Sequence, residues 1–206
     1  MARSFSDPRS LPRILSEQAI AAGYPLAWFE HFYQLALAEG HPIPWADMKP
    51  NPNLIDIYNR ITKLPFPATS LVVGCGLGDD AEWLAEKGHQ VTAFDISSSA
   101  IAECWRRFPS SVVHYLEADL FALPDKWQNH FNIVLESYTL QVLKNPLRKE
   151  ALLKVCELVS TNGILLLITR ARYESEPAGT MPWPLTRREL DVIPTLGFEE
   201  LFFEDH

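Results

Sequence analysis

Three glycines and two carboxylates set the chemistry of this chain. Leu71-Val-Val-Gly74-Cys75-Gly76-Leu-Gly78-Asp79-Asp80 reads as a buried strand, a glycine-rich turn and the start of a helix. Val91-Thr-Ala-Phe-Asp95 reads as a second strand that ends on an acid 17 residues beyond Gly78. Strand, turn, helix and terminal acid together make a nucleotide-handling unit. In such a turn the backbone comes close to the ligand, and a Cβ at position 74, 76 or 78 would obstruct it or forbid the dihedrals it needs. The helix that follows offers free N–H groups and partial positive charge. The glycine spacing selects the nucleotide. A dinucleotide fold asks for G-x-G-x-x-G. Here the third glycine falls one place early, at Gly78, and Asp79 puts a bulky charge where that glycine belongs. The pattern suits the adenosyl-sulfonium cofactor S-adenosyl-L-methionine, with its methionyl carboxylate at the helix N-terminus, and disfavours a nicotinamide dinucleotide.

Other candidate residues fall at the ends of later strands. Asp95 can accept from both ribose hydroxyls, and it can also help Ser97, Ser98 and Ser99 cap the next helix. Glu117-Ala118-Asp119-Leu120-Phe121 follows the third strand. Asp119 can accept from the adenine amine while Ile96 and Leu120 sandwich the ring, and an ordinary polar turn is the competing reading. Glu136-Ser137-Tyr138-Thr139 follows the fourth strand, where the transferred methyl lies in this architecture. Glu136 and Tyr138 are therefore the candidate catalytic residues, with Glu136 and Ser137 also at the cofactor; a turn in which Tyr138 merely packs is the alternative. His31 is a further candidate base, although a histidine amid apolar residues is commonly a packed helix residue. Arg148 can hold a substrate carboxylate or serve as a solvated helix charge.

These residues must be positioned by alternating strands and helices. Apolar runs predict strands at 71–73, 91–94, 112–116, 131–135, 164–168 and 198–203. Helical spacing predicts helices at 79–87, ending at Gly88, at 97–108, and at 146–159, with Leu152, Cys156 and Val159 on one side. Thr161-Asn-Gly163 predicts a turn into the fifth strand, and 187–193 reads as helical. Alternation of this kind implies a Rossmann-like, doubly wound and mostly parallel sheet with its ligand at the carboxyl ends of the strands. Residues 1–65 differ: helices are expected near 11–22, 25–39 and 53–63, with six prolines between Pro42 and Pro67. They read as a helical cap segment on a core of residues 66–206, within a single domain.

Composition bounds the partners. The chain has 206 residues and a net charge of −8, and no lysine- or arginine-rich stripe is visible. That speaks against nucleic acid bound through its phosphates and against an anionic membrane surface. The three cysteines, Cys75, Cys104 and Cys156, show neither a disulfide framework nor a metal-ligand spacing. Reduced thiols, an N-terminus without an apolar leader and the lack of an apolar run of about 18 residues lead to the expectation of a cytoplasmic protein without a metal.

Taken together, the residues from about 44 to the end resemble the class I S-adenosylmethionine-dependent methyltransferases. Three details are similar to the thiol and thiopurine methyltransferase-like branch: Pro44-Trp45 followed by Pro52-Asn-Leu54, the acid Asp80 after the glycines, and Gly179-x-x-Pro182-Trp-Pro-Leu185 ahead of a helix. The resemblance implies that Trp45 lines the cofactor pocket and that the 179–185 loop lies on the substrate side. It also implies direct transfer of a methyl group to a small molecule such as a thiol. Two departures stand out. Val72 occupies the place where many members carry an acid for the methionyl amine, so Asp80 becomes the candidate contact. The family sheet usually closes with an antiparallel seventh strand, whereas this chain ends directly after the sixth predicted strand: either the chain is short or the sheet edge is finished differently, and an unpaired edge would invite a homodimer. The rival readings are a protein methyltransferase, a binding protein that holds S-adenosylmethionine without turnover, and a nicotinamide oxidoreductase.

Overall fold

The computed structural model describes residues 7–61, 64 and 66–205. The N-terminal residues read for a leader, and the end of the helix expected at 53–63, fall wholly or partly outside that range. Five parallel strands form one sheet in the order β3-β2-β1-β4-β5: β1 Thr69–Val73, β2 Gln90–Asp95, β3 His114–Glu117, β4 Phe131–Ser137 and β5 Val159–Ile168. The order reverses between β1 and β4. There the crossovers diverge to opposite faces and open a crevice at the carboxyl ends.

Alternation along each strand builds two cores. Leu71 and Val73 of β1 and Val134 of β4 face one side with Leu152 and Val155 of α6 (Leu147–Glu157). Val72, Ala93, Ile133 and Leu135 face the other, under Ala81 and Leu84 of α4 (Asp79–Glu86), Ile101 of α5 (Ser98–Arg107) and Leu54 of α3 (Pro52–Arg60). A strand with both faces covered must be apolar throughout, as Leu71-Val-Val is.

Before the sheet, α1 (Ser10–Ala21) and α2 (Ala27–Glu39) pack together around Leu15, Trp28, Phe32 and Ala36. Met181 and Trp183 from the loop beyond β5 complete that cluster. The cap helices thus rest on the loop at the carboxyl ends of the strands.

Four expectations need correction. The third strand begins at His114 rather than at 112, because Val112 is 83% exposed and only Val113 onward is drawn into the core. The helix at 147 stops at Glu157, and Val159 belongs to β5. Thr161-Asn-Gly163 does not start that strand. It lies inside it, where Asn162 takes a φ of 62° and the β4–β5 register slips between Phe131 and Ile133. The turn residues therefore mark a bulge. No strand forms at 198–203. The chain there lies against the other elements through Arg60, whose guanidinium sits 4.0 Å from the Phe202 ring, and Arg187, 4.2 Å from Phe203. The preceding helical stretch is broken into a 3-10 turn, Arg187–Leu190, and one turn of helix, α7 (Val192–Thr195), too short to return a strand to the sheet.

Candidate active site

The glycine turn leaves β1 at Val73 and enters α4 at Asp79. Gly74, Gly76 and Gly78 all have positive φ, at 60°, 54° and 90°. Two of them are needed for close approach within the protein. A Cβ on Gly74 would lie 2.4 Å from Thr139 Oγ1, and one on Gly78 2.5 Å from Tyr115 Oη. The strand ends, the turn and the cap enclose a cavity of about 400 Å³, within the usual range for small-ligand sites of roughly 300–1,000 Å³.

Most of the sequence-derived residues meet there. Trp45, Gly74, Cys75, Gly76, Asp80, Asp95, Ile96, Ala118, Asp119, Leu120, Ser137 and Tyr138 all line the cavity. Gly78 and Glu136 do not. Gly78 serves as the N-cap of α4, with its α-face toward Tyr115 and Cys104. Glu136 is fully buried, and its Oε1 accepts from the backbone N–H groups of Thr139 (2.6 Å) and Leu140 (2.9 Å). It holds the turn that follows β4, because its carboxylate points into the fold rather than into the cavity. Its Oε2 has no partner among the described residues, and burial pushes the carboxyl up to about 7. His31 is exposed and lies away from the cavity. Arg148 is neither solvated nor free: it is 6% exposed and pairs with Glu189 at 2.8 Å.

Asp95 helps to hold the start of the next helix, the second of the two roles read from its position. Oδ2 accepts from Gly76 N and Oδ1 from Ser97 N, each at 2.9 Å, so one carboxylate ties the glycine turn to the start of α5. It is buried, yet lines the cavity. Burial raises its pKa to about 6 against the opposing pull of those N–H donors. Ser97 is the N-cap of α5, accepting from Ala100 N at 3.1 Å. Asp119 caps the short turn at Leu120–Ala122 by accepting from Phe121 N. Tyr138 has a φ of 65°, a sparsely populated conformation for a bulky residue that clusters at functional sites.

The electrostatics of the α4 N-terminus bear on the ligand. Asp79, Asp80 and Glu82 occupy its first turn. Arg107 takes Asp79 in a two-pronged pair, 2.7 Å on each nitrogen. Asp80 accepts from Asn51 N at 2.7 Å and from the Ser137 side chain, faces no cation, and burial raises its pKa. A pyrophosphate here would meet carboxylates. An amino-acid tail would find N–H groups for its carboxylate and Asp80 for its ammonium.

Some lining residues were not singled out from sequence. Asn51 caps α3, donates from Nδ2 to Ser137 Oγ at 3.1 Å and from its N–H to Asp80, joining three elements. An asparagine followed by proline is a helix-start signal, so its structural part was readable. Tyr33 of α2 accepts from Trp45 Nε1 at 2.8 Å and sits over Gly76. Arg9, Lys49, Gln141 and Arg170 also line the cavity, and no motif in the sequence marks them.

Residues 71–163, a little under half of the chain, match a family described as Methyltransferase domain. The match is to the general domain and does not single out the thiol or thiopurine branch. No curated protein matches the chain in sequence. Among solved structures, the [4+2]-cyclase SpnF is 23% identical, with 74% of this chain and 58% of that one covered at a TM-score of 0.61. A protein from a study of the conversion of a disulfide bond into a thioacetal group during echinomycin biosynthesis is 22% identical, with 69% and 59% covered at 0.57. The glycopeptide N-methyltransferase MtfA, complexed with sinefungin, is 21% identical, with 61% and 56% covered at 0.51. These likenesses are of fold, and this chain spans under two thirds of the length of each. Residues 71–163 are thus similar to a methyltransferase domain, on a fold that the chain shares with these solved structures.

Proposed function

We propose that this protein transfers the methyl group of S-adenosyl-L-methionine to a small molecule. The observation that carries the reading is that one cavity joins the glycine turn, Asp95, Asp119 and Tyr138, the ends of β1 to β4, under the cap helices. The residues present fit the cofactor. Asp95 keeps lone pairs for the ribose hydroxyls, Asp119 for the adenine amine, and Ile96 and Leu120 offer apolar walls to the ring. Gly74, Cys75 and Gly76 present backbone to the methionyl end, with Asp80 for its ammonium. Trp45 and Tyr138 offer aromatic faces to the sulfonium, worth about 0.5–2 kcal/mol each, and Ser137 lies beside them.

When bound, the cofactor supplies the activated methyl carbon. The chain's own residues hold the acceptor in line with that carbon and keep water out; such alignment can contribute roughly 7–11 kcal/mol. A thiol with a pKa near 8.5 needs little help from a base. A hydroxyl or amine acceptor needs one, and Tyr138 is the lining residue best placed by its position after β4. Glu136, withdrawn behind the turn, acts on the site through Thr139. The thiol-like reading is supported by Trp45 and by Met181 and Pro182, since both motif segments reach the cavity.

The enclosing helices of residues 1–65 favour a small acceptor over a protein chain. The net charge of −8 disfavours nucleic acid and membrane partners, and among the described residues no helix is long and apolar enough to cross a membrane. We place the protein in the cytoplasm, as one domain, with association of two copies through the open sheet edge as the expected oligomer. The fold also hosts other chemistry, the cyclase among its likenesses being one case. Binding of S-adenosylmethionine without methyl transfer is therefore the second reading.

Calorimetry with S-adenosylhomocysteine, followed by release of labelled methyl onto panels of thiols, amines and carboxylates, separates them. Binding with turnover supports the transferase, and binding with silence across the panels supports the second reading. No binding removes both.

A further inference from the structure

The cavity has two halves. Over β1, β2 and β3 lie the glycine turn, Asp95 and Asp119. Over β4 and β5 lie Tyr138, Gln141, Val142 and Arg170, roofed by Arg9 and Pro12 at the start of α1 and by Met181 and Pro182. Arg13 Nε donates to Met181 O at 2.6 Å and fastens that roof. If the cofactor fills the first half, the second is where the acceptor binds.

This second half carries uncompensated positive charge. Neither Arg9 nor Arg170 forms an ion pair among the described residues, whereas every other described arginine except Arg188 pairs with a carboxylate. Acids outnumber bases in this chain, at 26 to 18, so partners are not scarce. The backbone around Arg170 is nonetheless held firmly. Its N–H donates to Gln141 Oε1 at 2.8 Å, and its carbonyl accepts from Leu185 N at 2.9 Å. Gln141, 6% exposed, is fixed in turn by Trp183 N, which donates to its carbonyl at 2.7 Å. Arg170 is thus an exposed residue at the cavity whose backbone is anchored and whose guanidinium makes no ion pair among the described residues. Arg9 is placed the same way. Its N–H donates to Asp7 Oδ1, while Asp7 Oδ2 is taken by Arg13. The lining acids other than Asp47 sit on the opposite half, at the ends of β2 and β3 and in the first turn of α4.

A guanidinium fork matches a planar carboxylate. Beside Gln141, the walls of this half include the apolar or aromatic Pro12, Tyr138, Val142, Met181 and Pro182, and Asp47 and Lys49 also line the cavity. We infer that the methyl acceptor is a small apolar molecule bearing a carboxylate, held by Arg170 and Arg9 with its nucleophile toward Tyr138. The inference rests on the transferase reading above. The methionyl carboxylate does not account for the pair, because in that reading it lies at the α4 N-terminus, across Tyr138 from them.

The test is calorimetric, on protein saturated with S-adenosylhomocysteine. 3-Phenylpropionate and hexanoate are titrated against their primary amides, in the parent and in Arg170→Ala and Arg9→Ala variants. The expected result is that at least one acid binds about tenfold or more tighter than its amide, and that Arg170→Ala removes this preference while the affinity for S-adenosylhomocysteine holds. Rescue of the preference by Arg170→Lys would separate charge from packing. Equal binding of acid and amide, or no binding of either acid at millimolar concentration, would overturn the inference. So would a loss of affinity for S-adenosylhomocysteine in Arg170→Ala, because the guanidinium would then serve the cofactor. A parent that fails to bind S-adenosylhomocysteine at all would take down the transferase reading, and this one with it.

Discussion

Glu136 shows how a residue next to a candidate site can matter without lining it. Its carboxylate is buried, holds the Thr139 and Leu140 N–H groups on one oxygen and leaves the other without a partner among the described residues. The unfolded carboxyl titrates near 4.5 and the folded one near 7, so the folded state retains a proton between those values. Stability from this group is therefore complete below the unfolded value and lost as pH rises through the folded one. The size of that loss is on the order of 3 kcal/mol. Glu136→Gln keeps an acceptor for both N–H groups and carries no charge. Relative to the parent, its Tm should rise as pH goes from 5 to 8, followed by calorimetric unfolding. Parallel curves for the two proteins would show that the carboxyl is not perturbed.

At the scale of elements, Glu30 is one of the links between the cap and the sheet layer. Glu30 of α2 accepts from Ser97 Oγ at 2.6 Å, Ser99 Oγ at 2.8 Å, Ser99 N at 3.1 Å and Ser98 Oγ at 3.2 Å, and so crowns the N-terminus of α5 from outside. Burial pulls its pKa up, and the four donors together outweigh it and hold the pKa below its ordinary value. The latch is thus present at neutral pH and weakens as pH falls through the carboxylate range. Because α2 also carries Phe29 and Tyr33 of the cavity wall, Glu30→Ala should do two things. It should cost roughly 1–2 kcal/mol in unfolding free energy and speed dissociation of S-adenosylhomocysteine several-fold in stopped-flow. An unchanged off-rate would mean that the cap does not gate the site. The glycine turn makes a second element-scale case. Gly78→Ala meets both a φ of 90° and Tyr115 Oη at 2.5 Å. The backbone term alone costs about 1–2 kcal/mol. Adding Tyr115→Phe removes the oxygen but leaves the ring carbon at 3.1 Å, so a double-mutant cycle on unfolding free energies should show partial, not full, relief. Full relief would mean that the positive φ carries no strain.

For the molecule as a whole, what could be read in the sequence follows how local each signal is. Strands buried on both faces, β1 and β4, announce themselves as apolar runs, and the glycine turn and Asp95 fix the crevice between strands. Asp119, Ser137 and Tyr138 follow from strand ends alone. Glu136 was misplaced because adjacent strand residues point to opposite sides, and the sequence does not say which side ends in the cavity. Arg9 and Arg170 carry no local mark; only the packing of α1 on the 181–183 loop brings them together. The C-terminal segment fails for a related reason. Leu201, Phe202 and Phe203 read as strand residues, yet they are 64%, 38% and 48% exposed, and the short turns before them return no strand to β5. Surface contacts hold this segment: the two cation–π pairs, the Arg187–Glu200 pair and Arg60–Glu204 at 2.7 Å. Each is worth about 1 kcal/mol or less at such exposure. Phe198 differs, packing on the β1–α6 core cluster. Truncation after Phe198 should therefore lower Tm by roughly 15 °C at most, at about 2–4 °C per kcal/mol for a chain of this length. Unfolding should stay cooperative and the affinity for S-adenosylhomocysteine unchanged. A truncated protein that loses its cooperative transition would show that the segment completes the sheet after all, as a sixth strand does in the family this chain resembles.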